Sequence, residues 1–218
     1  MIQNLKHKLT ASRVGLLLII YYSVGLVGLS MPVSRELFIG LMPFTILLSI
    51  GILLFFHDSW RLKDGLVFLL IALLGYLVEV AGVLTGEVFG EYSYGRALGF
   101  RIFETPLLIG INWLMLIYCV YAIFEKYKIP VWGRIFSGAT LMVIYDLILE
   151  PVAIRLDMWS WGDVDIPLQN YVAWFIISVI LLAIMHLFKI TLKNRVAPWL
   201  FGVQTGFFLL LNFLLRVI

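Results

Sequence analysis

Two carboxyl groups four residues apart interrupt an apolar run in the stretch YDLILEPVA, Tyr145 to Ala153: Asp146 and Glu150, the latter followed by Pro151. A third acid, Glu79, lies in another apolar run, and the amides Asn112, Asn170 and Asn212 fall in or beside three more. Burial disfavours the charged form of a carboxyl group, and a second carboxylate nearby disfavours it further. An acid kept protonated in this way can donate a proton to an alkene. The tertiary carbocation that results would be held by aromatic faces, and Trp113, Tyr92, Tyr94, Trp159, Trp161, Tyr171 and Trp174 all belong to the same stretches or to the loops beside them. Capture of water then gives an alcohol, whereas proton loss after ring closure gives a cyclic alkene.

The elements carrying these groups must cross a membrane. The 218 residues are 62% hydrophobic and 13% charged, with a mean hydropathy of +1.03, against about half apolar and a quarter charged in soluble domains. Apolar segments near the roughly 20 residues that a bilayer requires run about 14–30, 37–56, 65–84, 106–124, 135–150, 171–188 and 198–215. The expectation is an all-α integral membrane protein, a bundle of about seven transmembrane helices forming one domain over residues 1–218. The first segment follows Lys6, Lys8 and Arg13 but lacks a small-residue cleavage site, so it reads as a helix rather than a signal peptide. The net charge of +3 gives no reason to expect nucleic acid as a partner, and Cys119 reads as a packing residue.

Basic residues set the orientation. The N-terminus (Lys6, Lys8, Arg13) and the connections with Arg61 and Lys63, with Lys126, Lys128 and Arg134, and with Lys189, Lys193 and Arg195 carry eleven. The other side carries five: Arg35, Arg96, Arg101, Arg155 and Arg216. The N-terminus is therefore expected in the cytoplasm and the C-terminus outside, in a multi-pass protein of a prokaryotic cell membrane. The two longest connections, about 85–105 and 151–170, then share the outer side, and loops of that length are functional or disordered.

Depth along each helix, at about 1.5 Å per residue, puts Glu79, Asp146 and Asn112 about 6–9 Å below the outer mouth, with Asn170 and Asn212 nearer the rim. Ionisable residues inside a membrane are candidate functional groups. Each also has a structural reading. Asn112 and Asn212 suit interhelical hydrogen bonds, and Glu79 with Asp146 suits a structural pair. Glu150 suits a helix end at the mouth, because a residue before proline disfavours helical backbone, and there it could pair with Arg155. The aromatic residues suit an interfacial belt. Gly82 and Gly86 have the spacing of a close helix contact.

His7, His57 and His186 are isolated, and neither a His cluster for iron nor a Cys/His set for zinc is present. A Gly-rich dinucleotide fingerprint is also missing, as are an aspartate-rich diphosphate motif and a lysine in the last helix for a retinal Schiff base. A site of carboxyls, amides and aromatics working without cofactor or metal is the expectation.

The stretches EVAGVLTGEVFGEYSYGRALG (Glu79 to Gly99), PLLIGINW (Pro106 to Trp113), YDLILEPVA, MWSWG and IPLQNYVAW resemble, in order, the membrane carotenoid-biosynthesis family. The resemblance covers about residues 70–180. Characterised members are carotenoid 1',2'-hydratases acting on γ-carotene and bisanhydrobacterioruberin. It implies cofactor-free addition of water to the terminal double bond of an acyclic carotenoid end, with γ-carotene, lycopene or a related carotenoid as substrate, in the bilayer and with other carotenoid-pathway enzymes as expected partners. Glu79, Asp146, Glu150 and Asn112 are the expected catalytic residues, with Glu79 and Asp146 sharing a proton and Asn112 orienting the water. Trp113, Tyr92, Tyr94, Trp159, Trp161, Asn170, Tyr171, Trp174 and Glu91 are expected around the substrate. A carotenoid cyclase using the same protonation in a dry pocket, and a proton-coupled transporter or sensor, are the other readings that these residues allow.

Overall fold

A long apolar helix is stable in a bilayer because its backbone groups bond within the segment. In the computed structural model, which describes residues 9–162 and 165–217, such segments dominate. Lys6, His7, Lys8 and Ile218 lie outside the described residues. The helices are α1 (Ala11–Ser30), α2 (Pro32–Gly40), α3 (Met42–Phe55), α4 (Leu62–Thr85), α5 (Leu108–Glu125), α6 (Val131–Arg155), α7 (Leu168–Leu187) and α8 (Ala197–Val217). Six are long and apolar enough to cross a membrane, and the bent pair α2–α3 makes a possible seventh span. The protein is an all-helical, multi-pass membrane protein.

Helix α6 packs along α7, α4 along α5 and α1 along α8, while α5 also touches α6 and α8 and so occupies the centre. Its run from Trp113 to Val120 is buried. Gly75 on α4 makes the α4–α5 approach possible, because a Cβ there would meet Trp113 Cβ at 2.6 Å. This contact fixes the indole that bears on the site.

Three expectations need correction. The segment 37–56 is not one helix: α2 and α3 meet at Leu41 with a bend of 54°, and each has proline in its first turn, Pro32 and Pro43. Proline suits a helix start and supplies no N–H to extend a helix before it. The segment 135–150 does not end at Glu150 either. Helix α6 runs on through Pro151 to Arg155, since the burial of Val152, Ala153 and Leu156 outweighs the local preference before proline. Gly82 and Gly86 do not pack a second helix. Gly82 admits the Phe89 ring and the Tyr92 hydroxyl, and Gly86, at φ +69°, ends α4 in the left-handed region.

The connections α4–α5 and α6–α7 lie at one end and contain short strands: β1 (Tyr92–Tyr94), β2 (Arg101–Ile102), β3 (Thr105–Pro106) and β4 (Trp159–Trp161). β1 pairs antiparallel with β4, with Tyr92 opposite Trp161, Ser93 opposite Ser160 and Tyr94 opposite Trp159. Side chains alternate along a strand, so the sequences YSY and WSW place four aromatic residues on one face and two serines on the other. At the opposite end, His57 Nδ1 lies 3.0 Å from the Tyr118 hydroxyl, and Asn194 donates to Tyr118 and to the Leu53 carbonyl. Burial holds the His57 imidazole below its ordinary pKa despite Asp64 nearby.

Candidate active site

The aromatic face of the β1–β4 pair closes over three buried carboxyl groups. Glu79 on α4 is 4% exposed, Asp146 on α6 is 0% and Glu150, one turn further along α6, is 2%. Residues four apart share a helix face, so Asp146 and Glu150 look the same way. Both phenols of the YSY strand donate to Glu79 Oε2, Tyr92 at 2.7 Å and Tyr94 at 2.6 Å, and the indole of Trp113 donates to Oε1 at 2.8 Å. Burial, reinforced by the Glu79 charge, pushes the Tyr92 and Tyr94 hydroxyls well above the ordinary phenol value, so both stay protonated donors.

The WSW strand does the same for Glu150. Trp159 and Trp161 donate their indole N–H groups to Glu150 Oε2 at 3.0 and 2.9 Å. Asn170 on α7 is 2% exposed, and its amide nitrogen bridges the two acids of α6, lying 2.7 Å from Asp146 Oδ2 and 3.4 Å from Glu150 Oε1. The second Asp146 oxygen, Oδ1, is buried with no hydrogen-bond partner among the described residues.

A hollow of about 20 Å³ lies among Glu79, Glu150, Asn170, Asn112, the four aromatics of the two strands and Trp174. That is room for about one water molecule. Ile109, Asn112, Leu149 and Trp159 also wall a second cavity of about 300 Å³, which extends between α1, α3 and α8 past Val24, Phe38, Ile46 and Phe207. A water-sized polar hollow thus opens beside an apolar chamber fit for a hydrocarbon chain. Asn112 stands at the junction, and among the described residues nothing hydrogen-bonds its side chain. Trp113 and Trp174 stack with centroids 4.4 Å apart.

Most of the candidates from the sequence are brought together here. Two are not. Glu91 is exposed, and its carbonyl extends the strand pair by accepting from Gly162 N–H; Tyr171 is half-buried and lines neither cavity. Glu150 is neither at a helix end nor paired with Arg155, which is exposed. Asn170 is not at the rim but in the acid layer. No hydrogen bond joins Glu79 to Asp146; Asp146 is linked through Asn170 to Glu150 instead. Asn212 serves as helix glue, donating to the Ile148 carbonyl at 2.6 Å. Gln204 and Tyr22, which line the apolar chamber, had no signal beyond being polar residues in apolar helices. No three His, Cys, Asp or Glu side chains among the described residues converge to hold a metal ion.

The sequence profile described as carotenoid biosynthesis protein matches residues 38–216. The chain belongs to that family. The matched region contains all three carboxyls and both paired strands, whereas α1 lies before it. A similar protein is the bisanhydrobacterioruberin hydratase of Haloarcula japonica, 26% identical over 127 residues, covering 52% of this chain and 42% of that protein. The chain therefore matches less than half of that relative's length. No solved structure matches. Family and relative together support a carotenoid-modifying enzyme.

Proposed function

We propose that this protein adds water to the terminal C=C bond of an acyclic carotenoid end, without a cofactor, in the cell membrane. The observation that carries this reading is the one-water hollow between the Glu79 and Glu150 carboxyls, sharing its wall with the long apolar chamber. The polyene lies in the chamber along Phe207, Phe208 and Tyr145, with one end at Asn112.

The acid is the pair Asp146–Glu150, bridged by Asn170 and holding one proton between them. Glu150 Oε2 already accepts from two indoles and Asp146 Oδ2 accepts from Asn170. The proton therefore resides on Asp146 Oδ1 or Glu150 Oε1. Glu150 reaches the hollow and delivers it to the alkene carbon, leaving a tertiary cation. Glu79, whose three donors suit it to carry charge, stabilises that cation together with the faces of Trp113 and Trp174. Water oriented by Asn112 adds to the cation, and the proton it releases restores the acid pair. Alkene and water enter, and a tertiary alcohol leaves.

The test is purified protein in lipid nanodiscs, given lycopene or γ-carotene in ¹⁸O-labelled water with a chelator present. The expected product is an alcohol carrying the label. A cyclised hydrocarbon would make the protein a cyclase, and turnover that depends on an added metal would refute the cofactor-free mechanism. Glu79→Gln, Asp146→Asn and Glu150→Gln should each lower kcat by about 100-fold or more while the protein stays folded.

A further inference from the structure

Helix α1 packs along α8 and against α2 but makes no comparable backbone approach to α3. Two hydrogen bonds between side chains cross the seam between α1 and α3 instead. They join the Tyr21 hydroxyl to Thr45 Oγ1 and the Tyr22 hydroxyl to Ser49 Oγ, each at 2.9 Å. On one side of them lies the apolar chamber, which meets Val24 and Gly25 of α1 and Thr45 and Ile46 of α3. On the other side a groove of about 530 Å³ continues along the same two helices. Leu17 and Leu18 of α1 and Leu48, Gly51 and Phe55 of α3 wall it, and Tyr21 lines both spaces. The Tyr22–Ser49 bond is buried and closes the floor of the seam, whereas Tyr21 is half-buried beside the passage. Chamber and groove thus form one track, with Tyr21 as its threshold.

The chamber alone is too small for a whole carotenoid. Its volume of about 300 Å³ is the lower end of the roughly 300–1,000 Å³ that houses a drug-sized ligand. The 20 residues of α1 rise about 30 Å, the thickness of the hydrocarbon core, and an extended carotenoid is a rod of comparable length. We propose that the α1–α3 seam holds this rod along its length, with the half remote from the reacting alkene in the groove beyond Tyr21. The inference rests on the hydration reading for its substrate class, and it makes chain length a criterion of recognition. Leu17 and Phe55 are exposed, so the groove opens sideways and a rod can enter from the lipid without threading. A Cβ at Gly51 would meet nothing within 4 Å, which leaves width for the chain. A different groove, between α1 and α8 at Gly202 and Gly206, is cut off from the chamber by Tyr22 and Phe207, whose rings meet edge to face at 5.4 Å.

Binding tests this separately from turnover. Quenching of tryptophan fluorescence in nanodiscs is measured for a full-length acyclic carotenoid and for a truncated polyene with the same acyclic end that stops short of Tyr21. Gly51→Leu fills the groove, and leucine suits a helix better than glycine. It should weaken binding of the long polyene about tenfold or more and leave the truncated one within about twofold. Leu17→Phe, filling the groove from α1, should do the same. Gly202→Leu, in the other groove, where a Cβ also meets nothing within 4 Å, should alter neither. Unchanged binding of the long polyene in both folded groove variants would assign the groove to lipid chains and overturn the proposal, as would a loss with Gly202→Leu instead. The expected losses without hydration of either compound by the wild-type protein would sink the hydration reading and leave the track standing.

Discussion

Replacing Asn170 by leucine removes the one side chain that ties the two acids of α6 together, with little change of volume. Its amide nitrogen makes a short contact to Asp146 Oδ2, 2.7 Å, and a long one to Glu150 Oε1, 3.4 Å. The long contact is near the limit of a hydrogen bond and counts for little. The short one involves an acid and is worth about 1.5–3 kcal/mol. Asp146 Oδ1 has no partner to begin with, so the leucine would leave both oxygens of a fully buried carboxyl group bare. The loss converts to about 10- to 100-fold at 1.4 kcal/mol per decade, and it falls on the proton donor rather than on the walls that hold the polyene. Asn170 lines the water-sized hollow and not the long chamber. Steady-state hydration by Asn170→Leu in nanodiscs should therefore show kcat reduced by that factor, with KM for the carotenoid within about threefold of wild type. Circular dichroism verifies that the helices persist, and thermal unfolding should shift downward. A folded variant with wild-type kcat would refute the acid pair, because its bridging group would then be dispensable.

Tyr94→Phe deletes one of three donors to Glu79, the one at 2.6 Å, and should cost roughly tenfold in kcat. The double variant with Tyr92→Phe should lose more than the product of the single effects, since the two phenols share Oε2. Glu91→Gln should retain activity within about threefold, because its side chain is exposed; a loss of 100-fold would put this acid back in the mechanism. The basic residues predict an external C-terminus: alkaline phosphatase fused after Ile218 should be active, and a bright cytoplasm-dependent fluorescent fusion would invert the topology.

What was legible in the sequence follows energy. A carboxyl group inside a membrane is costly wherever it stands, so Glu79 and Asp146 announced themselves from composition alone, and counting residues along each helix put them at one level. Tertiary partners were less visible. The YSY and WSW triplets are only three residues long, and their register joins Tyr94 to Trp159 across the whole of α5 and α6; nothing local marks such a pairing. In retrospect the alternation is the signal, two aromatics flanking a serine in each of the two long loops. Glu150 was misplaced because the rule for residues before proline is local, whereas the burial that extends α6 past Pro151 is not. That extension puts Glu150 one turn beyond Asp146, on the same face and within reach of both indoles. Had the helix ended at Glu150, the acid would have stood at the mouth, as the sequence suggested. The proline residue thus stands inside the helix that builds the acid pair, and the strand that supplies two of its donors, β4, begins four residues after that helix ends.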